Sequence, residues 1–455
     1  MSSQNPINGS EDQGFNRCSS DHYSAKWDIV FVCSALEKKP LLSCFSFETS
    51  FFLSLFLQIL VEQESYVRTI ILNRPQQLNA LSFYMVCKLG ELFTAYEEDY
   101  NVKLVILKGK GRSFCAGGDV AYIVRDTIAG GWKSGAKYFW NEYRMNYLLA
   151  TYKKPQVSIL NGFVMGGGAG VSVHGQFRVA TENSIMDMAY FVFVLLIVFV
   201  EQPRTNSSFN EVFAMPETAI GLYPDVGGSY FLSRLPGFFG EYLGLTGERL
   251  DGAEMLACGL ATHFVPAKNL LAMEEALCKV TTSDPAVVST ILDKFSVQPH
   301  LKEKSAYHRI EVVDRCFSRR TIEEILAALE IEALNSSDDW IIAAIQSIKK
   351  ASPLSLKLSL KQIRKGRLQG IGQCLIMEYR LGCHAVERKL SNDFFEGCRA
   401  KLIDKDGSPK WQPSRLELIQ DEIVDQFFAK MDDQEWEDLK LPRRDNLPAL
   451  AMAKL

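Results

Sequence analysis

The reading of the fold turns on Gln156–Glu182, which runs QVSIL (156–160) and then NGFVMGGGAGVSVHGQFRVATE (161–182). QVSIL follows Pro155 and carries the β-branched, apolar pattern of a strand. Gly166–Gly168 interrupts it and opens the next helix, and FRVA (177–180) predicts another strand. Glycine lets a backbone turn tightly and approach a ligand closely, because no Cβ stands in the way. Strand, glycine turn, helix and strand in this order predict a parallel βαβ-type unit. In such units the site lies at the carboxyl ends of the strands.

The same rhythm extends upstream. VRTIIL (67–72) is a strand candidate, and Asn73-Arg74-Pro75 is a turn, since proline cannot continue a ladder. Ser82–Tyr96 reads as a helix with Ser82 as its N-cap. KLVIL (103–107) predicts a strand ended by Gly109 and Gly111, and a second glycine cluster, SFCAGGD (113–119), follows it. Trp132–Tyr152 reads as a long aromatic helix. Beyond Pro266 the texture changes: 267–390 is mostly helical in period, and 391–455 is helix-like and charged. The expected organisation is an extension over 1–60, an α/β core over 61–266 and a helical region over 267–455.

Bulk properties narrow the function classes. A chain of 455 residues exceeds one compact core and suggests two or three units. Apolar residues make up 47% and charged residues 23%, as in soluble globular proteins. A net charge of -4 without a basic stripe gives no case for nucleic acid. Eleven cysteines, an odd number without a CxxC pair, argue against a disulfide framework and for a reducing compartment. The six histidines show no ligand spacing, so no metal is expected, and no phosphate-loop or dinucleotide fingerprint calls for a cofactor. The start is polar rather than a secretory signal. The apolar runs Phe51–Leu60 and Ala189–Val200 fall short of the ~20 residues that span a bilayer, so no membrane is expected as a partner.

The glycine clusters suggest chemistry. Two backbone N–H groups aimed at one carbonyl oxygen form an oxyanion hole. Either cluster alone is also what a tight turn needs. A third segment, FAMPETAIGLYPDVGGS (213–229), places Glu217 and Asp225 on a loop bracketed by Pro216, Pro224 and Gly227-Gly228. Carboxylates beside such donors suit a nucleophile or a general base, and they equally suit a helix cap or a solvated face.

Taken together, the segments resemble the crotonase (enoyl-CoA hydratase/isomerase) superfamily, and within it the 3-hydroxyisobutyryl-CoA hydrolases. LNRPQQLNAL (72–81), SFCAGGDV (113–120), 161–182, 213–237 and YLGLTGERLDGAEMLACGLATHFVP (242–266) carry the resemblance. CLIMEYRL (374–381) and DFFEGCRAKLIDKDGSPKW (393–411) extend it into the tail. It implies an α/β fold with a spiral core of repeated ββα units and a C-terminal helical region. It also implies hydrolysis of a short acyl-CoA, 3-hydroxyisobutyryl-CoA first, to 3-hydroxyisobutyrate and CoA in valine catabolism. Gly118 and Gly167 match the oxyanion-hole donors, Glu217 the catalytic glutamate and Asp225 an aspartate of the hydrolases. Glu142 matches a glutamate that contacts the acyl group, and the backbone at Ala116 and Gly117 the stretch that meets CoA. Asp119 matches a structural position. Hydratases place a second catalytic glutamate two residues after the glycine triplet; here that position is Gly170, which favours hydrolysis.

Residues 186–212, with their greasy run, interrupt the family pattern just before Glu217. They read as an atypical insertion, and together with much of 30–60 as non-native additions such as translated unspliced intron. Two alternatives remain: a hydratase or isomerase, and a form inactivated by the insertion. The C-terminal tripeptide Ala453, Lys454 and Leu455 resembles a peroxisomal address, so an import receptor is an expected partner and the peroxisome the expected location. A homo-oligomer is left open.

Overall fold

The computed structural model describes residues 57–187, 217–335 and 338–444. Most of the 1–60 extension, the 186–212 insertion beyond Asp187, and the tripeptide Ala453-Lys454-Leu455 lie outside the described residues.

The described strands form two sheets. In the larger, β1 (Ile59–Glu64) and β2 (Val67–Leu72) make an antiparallel hairpin. Beside β2 run β3 (Leu104–Gly109), β5 (Gln156–Leu160), β7 (Phe177–Ala180) and β10 (His263–Phe264), each parallel to its neighbour. The smaller sheet holds β4 (Ser113–Cys115), β6 (Phe163–Met165) and β8 (Ile185–Asp187) in parallel, closed by antiparallel β9 (Arg249–Asp251). Strands β3 and β4, β5 and β6, and β7 and β8 therefore recur as pairs, the first member in the large sheet and the second in the small one. This is the repeated ββα arrangement that the resemblance implies.

The longer elements fall where their patterns predict. Strands β2, β5 and β7 match residue for residue. Helix α1 (Phe83–Glu98) begins after Ser82, whose Oγ accepts from Met85 N at 3.2 Å. Helix α2 (Val120–Gly130) is capped by Asp119, whose Oδ1 accepts from Tyr122 N at 3.1 Å. Helix α3 (Trp132–Ala150) follows, while α4 (Gly167–Gly170) is a single turn. One turn sums few peptide dipoles, so its N-terminal end contributes little there beyond the direction of its N–H groups.

Helices α5 (Gly228–Leu232), α6 (Phe239–Thr246) and α7 (Gly252–Ala257) come next. The C-terminal region adds α8 (Leu270–Leu277), α9 (Pro285–Phe295), α10 (Ile310–Phe317), α11 (Ile322–Asn335) and α12 (Asp339–Lys350). It ends with α13 (Pro353–Gly366), α14 (Ile371–Glu387), α15 (Asp393–Cys398) and α16 (Asp421–Phe427). Residues alternating along the strands, Leu104 and Ile106, Val157 and Ile159, Phe177 and Val179, meet Met273, Leu277, Val288 and Leu292 of α8 and α9. Period-two alternation thus gives the large sheet one face for these helices. Helix α14 packs along α3, α13 against α5 and α6, and α15 against α2. Among the described residues no helix is long and apolar enough to cross a membrane.

Candidate active site

The segment Leu72–Leu81 builds the frame of the first glycine loop. Asn79 is fully buried at φ 59°, a left-handed conformation that asparagine tolerates better than most residues. Its Nδ2 donates to Lys110 O at 3.0 Å and Ser113 O at 2.7 Å, and its Oδ1 accepts from Arg74 N at 2.9 Å. Arg74 also pairs with Asp119 at 3.2 Å. Asp119 thus has the structural place expected of it, fixing both the loop and the start of α2.

The loop after β4 then runs beside Leu81 as a short parallel bridge. Leu81 N donates to Gly117 O at 2.7 Å, and Asp119 N donates to Leu81 O at 2.8 Å. In such a bridge the flanking residues bond to the partner strand, and the middle residue's N–H points the other way. That middle residue is Gly118.

The turn after β6 closes on this loop. A Cβ added at Gly167 would lie 2.9 Å from Gly118 N and 2.8 Å from Glu142 Oε1. One added at Gly166 would lie 3.6 Å from Glu217 Oε1. Neither position can carry a side chain without filling the space between the loops and the carboxyl groups. Gly118, Gly167, Glu142, Glu217 and Asp225 line one cavity of about 30 Å3, walled by Val120, Ile123, Phe139, Ile220, Leu222 and Phe394. Phe394 comes from α15, so the C-terminal region supplies part of the wall.

Ala116 and Gly117 stand behind this cavity rather than in its lining. Ala116 N donates to Leu78 O at 2.9 Å, and the side chain is buried with Leu78, Ala80 and Met165.

Each carboxylate has its own setting. Glu217 opens a 3-10 turn, Glu217–Ile220, and is buried. Glu142 lies on α3 one turn after Tyr138, so both face the cavity. Its Oε1 is buried and has no hydrogen-bond partner among the described residues. Burial, and then the charge of Asp225, hold its carboxyl well above the usual range. Burial pushes Asp225 up to about 6, opposed by the Tyr143 hydroxyl, which donates to Oδ2 at 3.0 Å. Two buried carboxyl groups facing one another cannot both ionise cheaply. Of the two, Glu142 is held further toward its neutral form.

Asp225 leads into a strained turn. Val226 has φ 53° and Gly227 φ 87°. A β-branched residue in the left-handed region costs about 1–3 kcal/mol and persists only where its surroundings over-determine it. The turn also bears on Gly170, where a Cβ would lie 2.6 Å from Val226 Cβ and 2.9 Å from Asn146 Nδ2. The position that carries a glutamate in hydratases is therefore physically closed here.

The residues expected from sequence to form the site thus include five that meet in one cavity. Tyr143, adjacent to Glu142 and bonded to Asp225, was not among the expected residues, and neither was Phe394. Phe394 sits inside a quoted family segment and Tyr143 beside a matched residue, but which neighbour each touches is a tertiary fact. Among the described residues no cluster of histidine, cysteine and carboxylate side chains could hold a metal ion.

The chain matches the enoyl-CoA hydratase/isomerase family over residues 67–191 and 207–428. The break falls within the stretch read as an insertion. Arabidopsis thaliana 3-hydroxyisobutyryl-CoA hydrolase 1 is 61% identical over 88% of this chain and 98% of its own length. The probable 3-hydroxyisobutyryl-CoA hydrolase 3 of the same plant is 59% identical over 87% and 98%. Among solved structures, a carnitinyl-CoA dehydratase from Mycobacterium thermoresistibile is 32% identical with a TM-score of 0.70, covering 84% of this chain and 98% of its own. On this fold, this cavity and these relatives, the chain belongs to the 3-hydroxyisobutyryl-CoA hydrolase family of the crotonase (enoyl-CoA hydratase/isomerase) superfamily.

Proposed function

We propose that this protein hydrolyses the thioester of 3-hydroxyisobutyryl-CoA, giving 3-hydroxyisobutyrate and free CoA, a step of valine breakdown. One observation carries the reading from a general acyl-CoA fold to hydrolysis. The cavity gathers the Gly118 and Gly167 turns with three carboxyl groups, while Gly170 is closed to a fourth.

The Gly118 and Gly167 N–H groups take the thioester oxygen as it gains charge. Donors of this kind contribute on the order of 3 kcal/mol each to the transition state. Glu217 either attacks the carbonyl carbon, expelling CoA thiolate and leaving an acyl anhydride for water to open, or removes a proton from attacking water. In both routes one water is consumed and the thiolate leaves as CoA thiol. Ionised Asp225 orients the water or accepts from the substrate hydroxyl. Neutral Glu142 donates to the acyl group, a role that its raised pKa supports.

Turnover of 3-hydroxyisobutyryl-CoA, followed by a thiol reagent, tests the reading. We expect free CoA release and a loss on the order of a thousandfold in Glu217→Gln with the fold retained. Loss of enoyl absorbance from an enoyl-CoA, without CoA release, would instead identify a hydratase. Peroxisomal import through Ala453, Lys454 and Leu455 belongs to the same proposal. An N-terminal fluorophore fusion lacking the tripeptide should lose punctate import.

A further inference from the structure

The turn that carries Asp225 is held from three sides. Pro224 O accepts from Gln362 Nε2 of α13 at 2.6 Å, and Val226 O is bonded to His174 Nε2 at 2.8 Å. The third side is Glu378, at the middle of α14 and fully buried. Its Oε2 accepts from Gly227 N at 2.6 Å, and its Oε1 accepts from Ser229 N at 2.9 Å and Ser229 Oγ at 2.5 Å. Its own carbonyl accepts from Tyr223 Oη at 2.9 Å. One residue thereby grips the segment on both flanks of Asp225.

Glu378 is not in the cavity lining. A buried carboxyl is costly, and an apolar residue would pack a helix interface more cheaply. What this one supplies is a pair of acceptors for N–H groups that the left-handed Val226-Gly227 turn leaves without ladder partners. A turn strained in this way stays put only while such contacts fix it. Burial, opposed by these three donors, pushes the carboxyl up to about 8.

We infer that Glu378, supplied by the C-terminal helical region, is a positioning residue for the reaction: it clamps the 223–229 turn so that Asp225 faces Glu142 and Glu217 across the cavity. The inference rests on the role proposed above for Asp225.

Steady-state kinetics of the full-length chain test it with two variants. Glu378→Gln keeps one acceptor but sets an amide against the Gly227 N–H. Its kcat should fall at least tenfold with KM within about twofold, and the melting temperature should still report a folded protein. A purely structural role would lower the melting temperature and the active fraction but leave kcat per folded molecule unchanged, and that result would overturn the inference. Ser229→Ala removes only the hydroxyl bond and carries the test if Glu378→Gln does not fold. Its kcat should fall about threefold at unchanged KM; an unchanged kcat would overturn the inference. Wild-type turnover is measured first, so that absence of any thioester hydrolysis counts against the proposed function and not against the clamp.

Discussion

Asp225 combines two demands that pull against each other. Its carboxyl is buried and raised to about 6, above the ordinary value for an aspartate. A raised carboxyl pKa means that the fold prefers the protonated form. That preference contributes stability at low pH and is lost as pH rises through about 6. Above that point the folded protein carries a buried charge, the form that the role proposed for Asp225 calls for. Two consequences are measurable. The kcat/KM of the wild type should climb as pH rises through about 6. Asp225→Asn should lose on the order of a hundredfold in kcat, yet melt higher than the wild type at pH 8, with the gap closing as pH falls from about 6 toward the ordinary aspartate value of 3.8. An equal or lower melting temperature at pH 8 would rule out a buried charge as the source. Gly167→Ala belongs to the same scale. Its methyl would lie 2.8 Å from Glu142 Oε1 and 2.9 Å from Gly118 N, so kcat should fall on the order of a hundredfold or more.

At the scale of elements, Ser82 illustrates what local chemistry can set. Its hydroxyl satisfies one of the open N–H groups of α1, and Ser82→Ala should lower stability by about 1 kcal/mol in denaturant unfolding while leaving KM unchanged. This cap, strands β2, β5 and β7, and helix α3 were legible because each signal is local and repeated over several residues. Strands β4, β6, β8 and β9 are three residues each, too short to display a period, and they were missed although they place both glycine turns. The site divides in the same way. Glu217, Asp225 and Glu142 stood out through their flanking motifs. Tyr143 and Glu378 act through contacts 82 and 151 residues away in sequence, and no local pattern encodes such a pairing.

For the whole molecule, the C-terminal helices are as much part of the cleft as the sheets. Phe394 closes its wall, and α13 and α14 hold the Asp225 turn. The attachment includes Glu241 of α6, fully buried, whose carboxylate receives Arg367 Nη2 at 2.9 and 2.7 Å just past α13. Arg367→Ala strands that charge, and a loss on the order of 3 kcal/mol is expected in denaturant unfolding. A loss near zero would mean that Arg364, 4.0 Å away, takes over the pairing. The seat of Val226 against Gly170 reaches further, into how catalysts of this ancestry can change trade. Gly170→Glu alone would collide with Val226 and Asn146, and trimming Val226 alone would loosen the aspartate's turn without adding an acid. Neither single change seats a further acid beside an intact turn, so placing one at this position requires Gly170 and Val226 to be replaced together.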